Sequence, residues 1–209
     1  MTTLEIMIKA EDTVSIASLI NATANKAAAT ITPVLGEINL ELISGNLTAT
    51  ATDRCMAATY ATTATGEDTT FRLTAAAAKF LAANVKRVNK HYETPPVSFL
   101  VDVESRRVTI EHGGASFTDT WYLAKYPGVL SLLDTWQPAA VAQPVKLRAE
   151  FLARLHKFVD AFIRVDYWIM ELGISGGSYK PERPGPVMAT AGKFRVLVQP
   201  NNYVPGESF

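Results

Sequence analysis

The feature that most restricts the fold of this chain is an order of predicted elements that recurs along its length. Each of three units consists of a strand, a helix and a run of further strands. The units occupy residues 4–65, 71–121 and 144–198. They share the order of their elements and not the identity of their residues. The repeat predicts an α+β protein built from β-α-β-β-β units.

The first unit shows its elements through residue spacing. Apolar residues recur at every second position from Leu4 to Ile8, which is typical of a strand. Asp12 is a favourable N-cap for a helix with an apolar face. A hairpin with its turn at Ser44-Gly45-Asn46 is predicted over residues 38–51, and a further strand over 56–60.

The second unit repeats this order. Thr74 can cap a helix that we expect to run to about Tyr92, where a Pro-Pro pair soon follows. Three strands are then predicted at 97–103, 107–112 and 115–121, joined by short polar or glycine turns.

The regular pattern lapses from Leu123 to Ala142, and the proline and glycine in this stretch mark a connector. We therefore divide the chain into a complete domain at 1–125, and the connector plus a third, half-domain-like unit at 126–209. The third unit is predicted as a strand, an amphipathic helix and three strands, at 144–147, 148–163, 168–174, 187–191 and 194–198.

A lone half-unit would leave a sheet edge and a helix face uncovered, which is unfavourable. We therefore expect the third unit to pair with another part of the protein or with a second copy. The pattern alone is equally consistent with an ordinary two-domain α+β protein whose second domain is small.

Composition restricts the class of protein further. With 48% hydrophobic and 19% charged residues, the chain can bury a core and is not disordered. Lys plus Arg and Asp plus Glu number 20 each, so a DNA-binding role would need the basic residues to collect on one face. The single cysteine, Cys55, excludes an internal disulfide. We expect a cytoplasmic protein, because there is no secretion signal and no apolar run of about 20 residues.

Four short segments resemble the bacterial DNA sliding clamp, the β subunit of DNA polymerase III. Leu47–Arg54 is similar to that family's Ala-Thr-Asp-Gly strand end, and Phe71–Ala75 to the entry of its second helix. Phe117–Thr120 followed by Tyr126-Pro127-Gly128 resembles the connector that closes a clamp domain. Val196–Pro200 is similar to the family's C-terminal Val-Met-Pro segment.

The chain also departs from the family. Arg54 stands where glycine is usual, Cys55 and Met56 replace a His-Arg pair, and Gln199 replaces Met. The chain has about half the length of a three-domain clamp, a size that would suit a phage or mobile-element replication system.

The resemblance implies a clamp fold with the helices on one face of antiparallel sheets. It further implies a homo-oligomeric ring that encircles double-stranded DNA, binds peptides of a polymerase and a clamp loader, and performs no chemistry. The alternative is a clamp-derived adaptor or decoy that binds replication proteins without closing a ring.

A clamp contacts phosphates through basic residues on the helices that line its hole. Two predicted helices here carry basic residues in corresponding positions of the repeat. Ordinary surface lysines, present for solubility, are the competing interpretation. The candidate DNA contacts are Lys79, Lys86, Arg87, Lys90, Arg148, Arg154, Lys157 and Arg164.

The family binds partner peptides in an apolar groove beside its Ala-Thr-Asp segment and its C-terminal strand. Met56 and Val198 could supply an adaptable apolar floor, although both could equally be ordinary core residues. The positions that the resemblance assigns to the groove are Thr52, Asp53, Arg54, Cys55, Met56, Val198, Gln199 and Pro200.

Enzymatic readings have little support in the sequence. The three histidines stand far apart without metal-ligand spacing. A lone cysteine is most often buried as a small apolar residue, and we expect this of Cys55. We interpret Asp53 as a turn former. No catalytic residue, metal or cofactor is predicted.

Overall fold

The computed structural model describes residues 3–23, 26–85, 94–135, 150–154, 156, 171–174 and 186–198. Residues 150–154 and 156 are helical and are called the third-unit helix below. The other elements, in chain order, are β1 (Leu4–Ile8), α1 (Ala10–Thr23), α2 (Lys26–Ile31), a 3₁₀ turn (Pro33–Gly36), β2 (Glu37–Ile43), β3 (Asn46–Thr52), β4 (Met56–Thr65), β5 (Thr69–Thr74), α3 (Ala75–Asn84), β6 (Val97–Asp102), β7 (Arg107–His112), β8 (Ala115–Thr120), α4 (Val129–Asp134), β9 (Glu171–Ile174), β10 (Val187–Ala191) and β11 (Phe194–Val198).

The first two units exchange their first strands. β5, from the second unit, pairs with β2 and completes the sheet β5-β2-β3-β4, while β1 pairs with β6 and completes β1-β6-β7-β8. All the pairs are antiparallel, and β1 also meets the end of β4, with Ile8 opposite Ala64. Because each unit supplies a strand to the other, neither could complete its sheet alone.

Helices α1 and α3 lie against each other, and both contribute to the core. Ile16 and Leu19 of α1 and Leu81 of α3 are buried with the inward side chains of both sheets. Burial of such residues is the main favourable contribution to folding, at about 25 cal/mol per Å² of apolar surface. Within the described residues, no helix is both long enough and apolar enough to cross a lipid bilayer.

The N-terminus of α3 confirms the predicted cap. The hydroxyl of Thr74 accepts hydrogen bonds from the amides of Ala76 and Ala77, both at 3.2 Å. The predicted length is wrong, because α3 ends at Asn84 and Val85 is extended, with φ −86° and ψ 98°. One continuous helix from Thr74 to Tyr92 is therefore excluded, and residues 86–93 lie outside the described part of the chain.

The third unit joins the first through backbone pairing. β11 lies antiparallel to β4, with Val196 opposite Ala58 and Val198 opposite Met56. The sheet therefore runs continuously in the order β9-β10-β11-β4-β3-β2-β5. The predicted strands at 187–191 and 194–198 are confirmed. At β11, the sheet edge of the third unit is therefore paired with the first unit of the same chain.

The connector contains a short helix that the sequence analysis missed. Val129 and Leu133 of α4 are buried in a small cluster with Met188, Leu197 and Ala57. This cluster lies outside the main core and joins the connector to β4, β10 and β11. The flanking proline and glycine led to the prediction of a connector without a helix, because such residues usually indicate irregular structure.

Candidate peptide-binding groove

A cleft of about 270 Å³ forms where three distant segments of the chain meet. One wall is the loop between β3 and β4, another is the start of α4, and the third comes from β11. We call this cleft the groove. It includes four positions that the resemblance predicted, and its lining residues are Thr52, Arg54, Cys55, Met56, Ala57, Pro127, Gly128, Val129 and Leu197.

Asp53 organises the loop that forms the first wall. Its carboxylate is buried, and Oδ1 accepts hydrogen bonds from the amides of Cys55 at 2.9 Å and Met56 at 2.8 Å. Oδ2 lies 2.6 Å from Nη1 of Arg154, which comes from the third-unit helix. Asp53 is therefore the turn former that was predicted, and it also links the loop to the third unit.

Thr52 adds a second set of bonds in the same loop. Its hydroxyl donates to the carbonyl of Met56 at 2.7 Å and accepts from the amide of Arg54 at 3.1 Å. Asp53 and Thr52 together hold the loop in one conformation through hydrogen bonds of its own residues.

Two residues of this loop are exposed at the groove. Arg54 has a positive φ of 76°, in the left-handed region, and its Nη2 lies 3.3 Å from the hydroxyl of Thr32. The expectation that Cys55 would be buried is wrong, since its side chain is exposed. The turn that Asp53 closes keeps Cys55 at the surface.

The floor of the groove is apolar. Met56 is 1% exposed and belongs to the main core, yet it also lines the groove. Val198, its partner across the β4–β11 ladder, is buried in the same core and does not line the groove. The competing interpretation of Val198 as a core residue is therefore the better one. Gln199 and Pro200 lie outside the described residues.

Partly buried and exposed polar contacts fix the connector in front of the groove. Glu37, at the start of β2, accepts from the amide of Tyr122 at 2.9 Å and lies 3.4 Å from Nη1 of Arg72. The same Arg72 nitrogen donates to the carbonyl of Tyr122 at 2.9 Å. The hydroxyl of Tyr126 donates to the carbonyl of Thr50 at 3.0 Å. These bonds position the next residues, 127–129, as the second wall.

Burial shifts the pKa values of two residues in these contacts, Glu37 and Tyr126. Burial raises the pKa of Glu37 above its ordinary value of 4.5, although the Tyr122 amide and Arg72 oppose that effect. Burial likewise raises the pKa of the Tyr126 hydroxyl. Tyr126 therefore remains a protonated hydrogen-bond donor, and the connector keeps its anchor at neutral pH.

A second polar cluster holds the β10–β11 hairpin against α1 and β4. Lys193, in the hairpin turn, places Nζ 3.0 Å from Oδ1 of Asp12, which is buried on α1. Thr62 donates to the other carboxylate oxygen at 2.7 Å, and the Tyr60 hydroxyl also bonds to Asp12. Burial alone would raise the pKa of Asp12, but the bonds from Tyr60, Thr62 and Lys193 hold it below the ordinary value.

The structure describes two of the eight candidate DNA contacts. Lys79 is exposed on α3, which both the DNA-contact interpretation and the solubility interpretation expect. Arg154 is 20% exposed, and its guanidinium pairs with Asp53 and lies 5.8 Å from the ring centroid of Phe151. The other six lie outside the described residues: Lys86, Arg87, Lys90, Arg148, Lys157 and Arg164.

The role of Arg154 as the ion-pair partner of Asp53 was missed by sequence reasoning, which assigned Arg154 to DNA contact. Phe151, three positions earlier on the same helix, is buried in the main core. Residues three apart share a helix face, so this spacing signalled that Arg154 faces inward. Its partner Asp53 lies 101 positions away, and no local pattern could identify it.

A larger hollow of about 700 Å³ lies at the N-terminus of α3. The two charged residues that line it are engaged within the chain, since Asp119 bonds to Thr74 and Arg106 donates to the Trp121 carbonyl at 3.4 Å. Among the described residues, no three His, Cys, Asp or Glu side chains are grouped as metal ligands. We assign the candidate site to the groove, because the predicted residues converge there.

The strand exchange, the paired helices and the continuous sheet define the sliding-clamp fold, as the resemblance predicted. The chain is similar to the β sliding clamp of C. crescentus, with a TM-score of 0.65 and 13% identity over 97% of this chain and 66% of that one. It is similar to the Helicobacter pylori β clamp bound to a DNA ligase peptide, with a TM-score of 0.68 and 12% identity over 97% and 67% of the chains. For the DNA polymerase III β subunit of Thermotoga maritima the values are 0.58 and 12%, over 96% and 65%.

These similarities establish the fold. The chain spans 66% of the length of the C. crescentus clamp that it matches. No protein-family model and no curated protein matches the sequence.

Proposed function

We propose that this protein is a sliding clamp that encircles duplex DNA as a ring of several copies and tethers replication proteins through the groove. The observation that carries the proposal is the convergence of three segments on one cleft in a chain with the clamp fold. These segments are the Thr52–Met56 loop, the connector at 127–129 and β11. They correspond to three of the four segments on which the sequence resemblance rested.

The groove has the properties of a site for short peptides. Its floor is apolar, and methionine adapts to side chains of different shape. Its walls are held by the hydrogen bonds of Asp53, Thr52 and Tyr126, so little order must be gained on binding. The H. pylori clamp to which this chain is similar was crystallised with a DNA ligase peptide. We take polymerase and clamp-loader peptides to be the corresponding partners here.

Gly128 offers a direct test of the groove. A Cβ added at this position meets no atom within 4 Å, and its φ of −75° suits any residue. Gly128→Trp should therefore fold normally and fill the groove. We expect it to abolish the binding of polymerase and clamp-loader peptides, measured by calorimetry. It should also remove the protection that a bound peptide gives the exposed thiol of Cys55 against alkylation.

A matched control places the same ring elsewhere in the connector. Leu123 is 78% exposed and does not line the groove, so Leu123→Trp should leave peptide binding unchanged. Equal binding by the native chain and Gly128→Trp would show that peptides dock elsewhere and would reject the groove.

One observation favours the alternative of an adaptor that never closes a ring. Of the candidate DNA contacts that the structure describes, Arg154 is committed to Asp53, and Lys79 is left exposed. A clamp should stay on closed circular DNA and be lost when the circle is cut, whereas an adaptor should bind the peptides without being retained on circular DNA.

A further inference from the structure

We propose that Arg54 makes the groove selective for peptides that carry a carboxylate beside their apolar anchor. This inference rests on the proposed peptide-binding function of the groove. It names the chemical class of partner that this chain would prefer.

The backbone at Arg54 does not need an arginine. Its φ of 76° lies in the left-handed region, which glycine adopts freely and arginine disfavours. The bonds that form the turn come from the Asp53 and Thr52 side chains and from backbone amides. A glycine would satisfy the turn with less strain. The turn therefore explains the backbone conformation of residue 54 and does not explain why its side chain is an arginine.

All three described non-glycine residues with positive φ lie in turns between antiparallel strands. Ser44 belongs to the hairpin turn between β2 and β3, and Arg106 to the turn between β6 and β7. Tight hairpin turns commonly require a left-handed residue. Arg54 lies in the hairpin turn between the antiparallel strands β3 and β4, and of these three residues it alone lines the groove.

The charge of Arg54 is available to a ligand. Its side chain is exposed, and the hydrogen-bond partner described for its guanidinium is the neutral hydroxyl of Thr32. By contrast, Arg72, Arg154 and Arg195 each pair with a carboxylate. In the described part of the chain, no carboxylate lies within ion-pair distance of Arg54.

The surrounding groove leaves this positive charge uncompensated. The nearest acid in the sequence, Asp53, is buried and already bonded to Arg154 and to two backbone amides. The other lining residues of the groove carry no charge. A ligand in the groove therefore contacts an apolar floor and the positively charged guanidinium of Arg54. A guanidinium binds a carboxylate through two parallel hydrogen bonds.

The volume of the groove suits a few side chains of a peptide better than a whole small molecule. Its volume of about 270 Å³ is below the roughly 300–1,000 Å³ typical of small-molecule sites. Such a space suits the apolar side chains of a short segment, and Arg54 would bind the carboxylate next to them. A DNA phosphate is the competing anion, and the experiment distinguishes it from a peptide.

The test uses three fluorescent six-residue peptides that are identical except at one position beside a pair of leucines, which is Asp, Asn or Lys. Affinities are measured by anisotropy for the native chain, Arg54→Gly and Arg54→Glu. We expect the native chain to bind the Asp peptide about fivefold tighter than the Asn peptide, as for one exposed charge pair. Arg54→Gly should bring that ratio to about one, and Arg54→Glu should favour the Lys peptide.

The control is Arg107→Gln, which removes an exposed arginine from β7, outside the groove, and should leave the native ratio intact. Native binding without preference for the Asp peptide would overturn the inference and leave the groove standing. A preference for the Asp peptide over the Asn peptide that persists in Arg54→Gly would also overturn the inference and leave the groove standing. A loss of duplex-DNA binding in Arg54→Gly, with the peptide preference unchanged, would have the same meaning. Failure of all three peptides to bind the native chain would overturn both the inference and the peptide-binding function.

Discussion

At the scale of single residues, the groove depends on a buried carboxylate whose partners come from different parts of the chain. Asp53 is a turn former by sequence, and that role could be predicted from its position at a strand end. Its pairing with Arg154 could not, because helix spacing reveals a shared face and not the residue that the face meets. Because the sequence did not reveal this partner, Arg154 was predicted to contact DNA as a basic residue of a helix.

We expect Arg154→Met to destabilise the fold by roughly 2 kcal/mol, because it leaves the buried Asp53 carboxylate without its cation. The free energy of unfolding, measured by urea titration, gives the value. Arg195→Met is the matched control, since its ion pair with Asp134 is exposed and should contribute under about 1 kcal/mol. Equal losses in the two variants would show that the Asp53 pair has no special role.

At the scale of the elements, the strands were more predictable than the helices. Strands β7, β10 and β11 match their predicted limits, because alternation of apolar residues is a local signal. Helix α3 was predicted too long, since the residues beyond Val85 continue a helical periodicity that the structure interrupts. The β11–β4 pairing and the exchange of β1 and β5 could not be predicted, because they join segments that are distant in sequence.

The hairpin β10–β11, α1 and β4 meet at Asp12, and this contact should depend on pH. The pKa of Asp12 is lowered in the folded state, so its contribution to stability is present above the ordinary value of 3.8 and is lost as the pH falls through the folded value. We expect Asp12→Asn to be less stable at pH 7 and to lose less stability between about pH 4 and pH 2. Urea titrations across this range measure the difference.

Glu37 supplies the opposite control for this experiment. Its pKa is raised, so its contribution is present below 4.5 and is lost as the pH rises through the folded value. Glu37→Gln should therefore flatten the pH dependence above 4.5 and leave the acid limb intact. An unchanged acid limb in Asp12→Asn would mean that other carboxylates cause it.

At the scale of the whole molecule, the mass in solution separates the ring from the adaptor. Among the described strands, β8 is the end of the sheet β1-β6-β7-β8, and it has no buried residue and no lysine, arginine or proline that would discourage pairing. We therefore expect the native chain to form a stable oligomer through this edge, seen by light scattering after size exclusion. Ser116→Lys with Thr118→Lys, both at exposed positions of β8, should shift it to monomer.

The control, Glu111→Lys, alters the charge of the neighbouring strand β7 and should leave the oligomer intact. A native chain that is monomeric at every workable concentration would contradict the ring. The groove would then serve an adaptor, because peptide binding requires the β3–β4 loop, the connector and β11, and the fold brings all three together within one chain.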